Sequence, residues 1–136
     1  GVFPTVSWGD NVPGMAKVME YAKKLHPQDE GSPDYLSCWA AGLIVADILK
    51  TTLKTVKYDV LAKGDVNAWR AVEKNGFQKI NYDVAGLHGP AVYTPGDNRL
   101  AKSVRVLQVQ GGKIVPVSNW VDAALVKYEE FSWFGK

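Results

Sequence analysis

The chain has 136 residues, 46% hydrophobic and 22% charged, which is enough for one folded domain with a core of its own. Its 16 basic and 14 acidic side chains leave a formal charge of +2. A charge this small and evenly spread argues against nucleic acid or an anionic membrane surface as a partner. The single cysteine cannot form an internal disulfide, so cysteine usage does not report the redox compartment. The first residues include neither an initiator Met nor a secretory signal, so we expect a processed or shortened chain.

The first quarter of the sequence predicts a strand followed by a surface helix. Residues 2–7 are apolar and β-branched, which is typical of a short strand or a crossing segment. Asn11 is expected to cap a helix that carries Pro13 in its first turn. The apolar residues that recur at helical spacing are Met15, Val18, Met19, Ala22 and Leu25. His26, which precedes Pro27, is expected to end this helix.

A second, strongly apolar helix is predicted over residues 34–54, with Ser32 or Asp34 as its cap. A membrane span needs roughly 20 predominantly apolar residues, and the apolar run at 36–49 is too short for that. Because the helix is apolar on nearly every side, we expect other elements to cover it on two sides. The rest of the chain supplies little such cover, so the pattern predicts a missing partner.

The second half predicts one more helix and then a hairpin. Asp65 is expected to cap a helix with Val66, Trp69 and Val72 on one face, and Gly76 to end it in the left-handed conformation. A short strand at 91–94 leads into a type II turn at Pro95-Gly96. Strands at 103–110 and 113–118 follow, joined by the two-residue turn Gly111-Gly112. The expected cross-strand pairs are Gln110 with Lys113, Gln108 with Val115, and Val106 with Val117.

Pro116 and the C-terminal aromatic residues add two expectations for the second half. Pro116 cannot donate a hydrogen bond to a neighbouring strand, so the second strand of the hairpin is expected at a sheet edge. The aromatic residues of the last stretch, 120–136, predict a tail docked on other parts of the protein. They are Trp120, Tyr128, Phe131, Trp133 and Phe134.

The residues that could carry chemistry are few. A cysteine nucleophile needs a base within hydrogen-bond reach, and His26 and His88 are the only histidines in the sequence. The neighbours of Cys38 on an apolar helix favour a buried thiol that packs as a small hydrophobic side chain. Two distant histidines do not form a metal site, and no glycine-rich segment leads into a helix as phosphate binding requires. The sequence therefore predicts no catalytic residue, no metal ligand and no cofactor.

Three aromatic residues stand out as candidates for contact with a solute. Trp8 lies in a loop, and Tyr35 and Trp39 lie near the start of the central helix. Tryptophan and tyrosine offer flat apolar surface with a polar edge, which suits small-molecule pockets. The alternative is that Trp39 belongs to the core and that Tyr35 only packs at the helix start.

Three segments carry a family resemblance. Residues 89–99 read Gly-Pro-Ala-Val-Tyr-Thr-Pro-Gly-Asp-Asn-Arg, residues 104–118 contain the hairpin with Gly111-Gly112-Lys113, and residues 33–41 start a helix with Tyr35 and Trp39. Together they resemble the C-terminal end of type I periplasmic solute-binding proteins that serve branched-chain amino acid and related ABC transporters. Members of that family tend to show a Gly-Pro step, a Pro-Gly-Asp turn and a hairpin turn with Asp-Gly-Lys. Here Gly111 stands where an acidic residue is common, and Cys38 replaces the usual small residue.

This resemblance implies an α/β fold and a partial structure. Family members have two Rossmann-like lobes joined by crossing segments, and residues 1–136 would be the C-terminal third. They would comprise the return through the hinge, helices of the first lobe, and the hairpin and tail of the second lobe. The implied partners are the missing N-terminal part of the parent chain and an ABC permease, with self-association of this piece left open.

The function implied is capture of a small molecule, such as an amino acid or an aromatic acid, between the lobes. The location would be periplasmic, or extracellular and lipid-anchored in a Gram-positive organism. The positions that match the family's cleft are Tyr35, Ser37, Trp39 and Trp8; each would contact solute, and none would do chemistry. Two alternatives stay open: a sensory or regulatory ligand-binding domain of the same fold, and a small enzyme that uses Cys38.

Overall fold

The computed structural model describes residues 2–125, 127 and 130–133, with side chains from residue 4 onward. Within these residues the chain mixes helix and sheet, in agreement with the predicted class. The helices are α1 (Met15–Leu25), α2 (Pro33–Thr52), α3 (Tyr58–Leu61) and α4 (Val66–Asn75). The strands are β1 (Val2–Phe3), β2 (Asn81–Tyr82), β3 (Ala91–Val92), β4 (Ser103–Gln110), β5 (Lys113–Pro116) and β6 (Val121–Asp122). Single turns of 3-10 helix occur at Pro27–Asp29, Phe77–Lys79 and Val84–Gly86.

The first strand is shorter than predicted. It covers only Val2–Phe3. After Pro4, Thr5 pairs with His88 in a single isolated antiparallel bridge. Proline has no N–H to donate, which accounts for the interruption. The Val6 N–H then donates to the carbonyl oxygen of Leu87 at 3.1 Å, so this segment is held against residues 87–88 rather than extended as one strand.

Helix α1 begins later than the sequence indicates. The prediction of an Asn11 cap was wrong, because the helix starts after Gly14, which makes no side-chain cap bond. The Gly14 N–H instead donates to the Ala85 carbonyl oxygen at 2.9 Å, so a distant segment accepts the hydrogen bond. The C-terminal end falls at Leu25, before His26, as predicted.

The buried stripe of α1 is narrower than its apolar pattern. Met15, Val18 and Ala22 are buried, whereas Met19 and Leu25 are 36% and 56% exposed. One face of the helix therefore contacts the core, and its margins stay in solvent.

Helix α2 begins where one of the two candidate caps predicts. The Ser32 hydroxyl oxygen accepts the N–H of Tyr35 at 3.2 Å, and Pro33 occupies the first helical position. The helix then runs for 20 residues. Its buried positions form a single row: Leu36, Ala40, Ile48 and Thr52.

Within the described residues α2 is buried mainly along one side, which agrees with the expectation that this chain alone supplies little cover for it. The adjoining side of the helix exposes Val45 (54%) and Leu49 (41%), and Leu53 (47%) follows at the C-cap. Large apolar groups repeating along one helix face form a surface that is unusual on a soluble monomer. Among the described residues, however, no helix has both the length and the apolarity to cross a membrane.

Helix α4 packs against α2 through a glycine contact. Its start is as predicted, because an Asp65 carboxylate oxygen accepts the N–H groups of Asn67 and Ala68, each at 2.9 Å. Of the three apolar residues expected on one face, Val72 packs against the core, whereas Val66 and Trp69 are 58% and 69% exposed.

The end of α4 also differs from the expectation. Gly76 does not adopt the left-handed conformation, because its φ is −120°. A Cβ at this position would collide with the Thr52 hydroxyl and the Ile48 carbonyl oxygen of α2. Glycine is therefore required by close approach of two backbones, and not by a helix-ending conformation.

The core lies between α1, the buried row of α2, and the segment that leads from residue 80 to residue 91. Ten buried side chains form it: Val6, Met15, Val18, Leu36, Ala40, Ile48, Ile80, Val84, Leu87 and Ala91. Val84 and Ala85 have φ angles of +55° and +54°, a region that costs a non-glycine residue roughly 1–2 kcal/mol. Burial of Val84 and the bond from the Gly14 N–H to the Ala85 carbonyl hold this conformation in place.

The hairpin is confirmed. Gly111 and Gly112 have φ angles of +57° and +76°, as a two-residue primed turn requires. The pairs Gln110 with Lys113 and Gln108 with Val115 have the predicted register, and the Val117 N–H donates to the Val106 carbonyl oxygen at 2.9 Å. Among the described strands β5 pairs only with β4, so Pro116 lies on an edge as expected. All strand pairs described are antiparallel.

Arg99 connects the turn after β3 to the residues that follow β6. Gly96 has a φ of +84° and the Asp97 N–H donates to the Thr94 carbonyl oxygen, as in the predicted type II turn. The Arg99 guanidinium donates to both carboxylate oxygens of Asp97, at 2.8 and 2.9 Å, and to the carbonyl oxygens of Ala123 and Ala124. The bonds from Arg99 lower the pKa of Asp97 to about 2.

The aromatic tail is docked on the core at its beginning, through Trp120. Trp120 packs against the core, its ring stacks on that of His88, and the Arg105 guanidinium lies 5.2 Å from its centroid. Phe131 and Trp133 stack on each other at 5.4 Å but are 45% and 62% exposed. Tyr128 and Phe134 lie outside the described residues, so the rest of this prediction is untested.

We predict opposite effects of alanine at two glycines. Gly76→Ala should lower the free energy of unfolding by about 1–3 kcal/mol, because the added methyl forces α4 away from α2. Gly42→Ala, in the middle of α2, meets no atom within 4 Å and should raise it by up to about 1 kcal/mol through helix propensity.

Urea unfolding followed by circular dichroism measures both changes. Equal midpoints for Gly76→Ala and wild type would contradict the close approach of α2 and α4.

Candidate functional site

The loop that carries Trp8 is a closed turn. The Asp10 N–H donates to the Ser7 carbonyl oxygen at 3.1 Å, and the Ser7 N–H donates to the Asp10 carboxylate at 3.0 Å. Gly9, between them, has a φ of +85°, which the third position of a type II turn requires. These reciprocal bonds hold the half-buried Trp8 side chain at the tip of the turn.

Aromatic rings continue from Trp8 along the start of α2. The Trp8 and Tyr35 ring centroids are 6.2 Å apart, and the ring planes meet edge to face at 62°. Tyr35 and Trp39, four residues apart on one helix face, stack with centroids 6.2 Å apart. Tyr21 of α1 contacts Trp39 at 5.5 Å, and His26 contacts Tyr35 at 5.9 Å. We call these five side chains the ring series.

A cavity of about 470 Å³ opens on the Trp8 side of the ring series. This first cavity lies between the turn at residues 7–10, the start of α2 and the hairpin. Its residues are Thr5, Val6, Ser7, Trp8, Gly9, Asp10, Gly31, Pro33, Leu36, Leu107, Lys113, Ile114 and Val115. Its volume falls within the range of small-molecule sites, and most of its side chains are apolar.

A second cavity, of about 390 Å³, lies on the other side of the ring series. Tyr35 and Trp39 form one wall, and Gly42 lies where a side chain would otherwise fill the space. The remaining residues are His26, Cys38 and Leu43.

Three of the four predicted ligand-binding residues are therefore neighbours. Trp8 lines the first cavity, Tyr35 and Trp39 line the second, and ring contacts join them. Ser37 lines neither of these cavities, because its hydroxyl donates to the Pro33 carbonyl oxygen one turn earlier in α2, at 2.9 Å. The structure does not bring Ser37 to the site.

The prediction of a buried Cys38 was wrong, because the thiol is exposed at the rim of the second cavity. His26 lines the same cavity, yet within the described residues no hydrogen bond joins the imidazole to the sulfur. His88 is buried elsewhere, with its Nδ1 at 2.6 Å from the Gly89 carbonyl oxygen. In the part of the chain that the structure describes, no three His, Cys, Asp or Glu side chains are grouped as a metal site requires.

Sequence reasoning missed the polar residues of the first cavity, which are Thr5, Ser7, Asp10 and Lys113. The Ser7 hydroxyl oxygen is buried and has no hydrogen-bond partner among the described residues. Lys113 follows the hairpin turn and borders the same cavity. The turn chemistry predicted the position of Lys113 in the hairpin, but nothing local indicates that the hairpin approaches residues 5–10.

Comparison with other proteins gave no match: neither protein-family models, nor curated proteins, nor solved structures are similar to this chain. The geometry of the site therefore carries the functional argument that follows.

We predict that Cys38 reacts with a thiol reagent in the folded protein. Iodoacetamide should modify it in native buffer at a rate within about tenfold of the rate in urea, because the sulfur is exposed. Mass spectrometry of the intact chain measures the modification. A thiol that reacts only after unfolding would contradict the exposed position at the second cavity.

Proposed function

We propose that this chain belongs to the solute-binding component of an ABC-type uptake system. In this proposal it is the C-terminal third of a two-lobed protein that captures a small molecule, such as an amino acid or an aromatic acid, and delivers it to a membrane permease. The protein acts in the periplasm, or outside the cell as a lipid-anchored protein. It binds solute and catalyses no reaction.

The observation that carries this proposal is the series of ring contacts from Trp8, which lines the cavity of about 470 Å³, to Tyr35 and Trp39, which line the cavity of about 390 Å³. These residues match the family's cleft in the resemblance described above, and they come from a loop and a helix that are separate in sequence. Rigid aromatic rings bordering an apolar cavity suit a small solute with an apolar body.

The uncovered face of α2 supports the two-lobed arrangement. Val45, Leu49 and Leu53 expose apolar surface that the described residues leave without cover. In a longer chain this face would pack on elements of the first lobe, because burial of that surface is favourable.

The test is a thermal-shift screen of the complete polypeptide that contains these 136 residues. The panel holds aliphatic amino acids, small amides and aromatic carboxylates. A solute present at 1,000 times its Kd stabilises the folded state by roughly 4 kcal/mol, which is a shift of several degrees.

Two results would contradict the proposal. A reading frame that supplies no further lobe would contradict the two-lobed arrangement. A flat response across the panel, from a protein that melts cooperatively, would contradict capture of a solute of these classes. A matched control is Trp69→Ala, because Trp69 is exposed on α4 and lines neither described cavity. This variant should keep the shift, whereas Trp8→Ala should lose most of it.

A further inference from the structure

We propose that the β4–β5 hairpin is a flap over the first cavity. It closes on a bound solute by pairing Lys113 with Asp10 and by packing Ile114 against Trp8. This inference rests on the proposed function, because the flap encloses the solute captured there. It goes beyond that function by assigning the opening and closing of the site to one hairpin.

The first observation is that the hairpin extends beyond the rest of the sheet. β1 and β6 pair with the first half of β4, over residues 103–106. In the described part of the chain, residues 108–110 of β4 pair with β5 alone. Residues 108–114 are all exposed, whereas Leu107 at their base is buried. A two-stranded ribbon without further cover is only marginally stable, so this part of the hairpin is able to move.

The base of the hairpin, in contrast, is fixed. The Val117 N–H donates to the Val106 carbonyl oxygen at 2.9 Å, and the Val106 N–H donates to the Ser118 hydroxyl oxygen at 2.9 Å. Leu107 is buried next to these bonds. The movement is therefore confined to residues 108–115, which we call the ribbon.

The ribbon borders the mouth of the first cavity with an apolar face. Ile114 lines the cavity and is still 56% exposed. Val109 lies directly opposite Ile114 in the ladder, on the same face of the ribbon, and is 69% exposed. The half-buried Trp8 lines the same cavity from the turn at residues 7–10. Closure of the ribbon towards Trp8 would bury this apolar pair, which is favourable.

Opposite charges favour the same movement. Asp10 and Lys113 are the two charged side chains of the described lining, one on the turn and the other on the ribbon. The Asp10 Oδ2 accepts the Ser7 N–H, and its Oδ1 has no hydrogen bond among the described residues. Within those residues neither Asp10 nor Lys113 forms an ion pair in this conformation. Closure brings the two charges together, and their attraction strengthens as solute and ribbon exclude water.

Distances between spin labels test the movement without any solute. In the complete polypeptide with Cys38→Ser, nitroxides are attached through Gln110→Cys on the ribbon and Arg70→Cys on α4. Pulsed dipolar EPR measures the distance distribution. We expect it to be about twofold broader than that of the control pair Lys24→Cys with Arg70→Cys, which joins two helices.

Bound solute should then narrow the distribution of the ribbon pair. The probes are L-leucine and benzoate, an aliphatic amino acid and an aromatic carboxylate. At saturation the distribution should narrow to one population, because the closed ribbon is held at Asp10 and Trp8. The control pair should not change.

Stopped-flow release of the same probes tests the contacts of the closed flap. Asp10→Asn keeps an oxygen for the Ser7 N–H, and Lys113→Gln keeps the length of the side chain. Each should speed release about twofold to fivefold, and the double variant no more than either, because both remove one ion pair. Ile114→Ala should speed release about fivefold through lost apolar contact. The matched control is Val121→Ala, since Val121 is 54% exposed on β6 and lies outside the lining, and it should keep the wild-type rate. Thermal melting establishes that each variant is folded.

The outcomes separate this inference from the proposed function. If solute binds but the ribbon pair is as narrow as the control pair, or keeps its breadth with solute bound, the flap is overturned and solute binding stands. If the effects of Asp10→Asn and Lys113→Gln on release simply multiply, the ion pair is overturned. If neither these probes nor the wider panel binds, the proposed function fails, and the flap fails with it because it has no solute to enclose.

Discussion

The packing of one face of α2 against the rest of the chain is the contact on which the other elements depend. Leu36 and Ala40 bury its first half against the core, and Ile48 and Thr52 bury its second half near α4. The close approach at Gly76 brings α4 within contact of Thr52, whose hydroxyl donates back to the Ile48 carbonyl oxygen at 2.8 Å. A larger residue at this crossing would separate the two helices along their shared length.

The same helix determines the geometry of the candidate site. Because Ser32 caps α2, the first turn begins at Pro33 and directs Tyr35 and Trp39 to one side. The turn at residues 7–10 then meets Tyr35 through Trp8, and the hairpin closes the far side of the first cavity. Residues from three separate parts of the sequence thus surround one space.

Local chemistry made some of this architecture predictable. The Gly111-Gly112 turn dictates a two-residue hairpin, so strand register follows without any long-range contact. Asp65 and Ser32 likewise indicate helix starts, because their side-chain oxygens bond amides only two or three residues away. The ring pair of Tyr35 and Trp39 follows from helical spacing alone.

Other features depend on contacts that the sequence does not specify locally. Because α2 is apolar on nearly every side, its sequence does not indicate which side is buried. Cys38 was therefore expected to be buried, although it is exposed. Gly76 has the sequence context of a helix end, but glycine is needed there because α2, more than 20 residues earlier in the chain, approaches it closely. Ser7 and Lys113 are over 100 residues apart, and only the fold shows that they border one cavity.

The most direct test of a solute site at Trp8 is backbone hydrogen exchange of the complete polypeptide, with and without a solute that raises its melting temperature. Bound solute should slow exchange in peptides that cover residues 5–10 and 107–115, since both segments line the first cavity. Exchange in α4 should stay unchanged, because none of its residues lines that cavity. Protection confined to α4, or absent from both cavity segments, would contradict this account of the site.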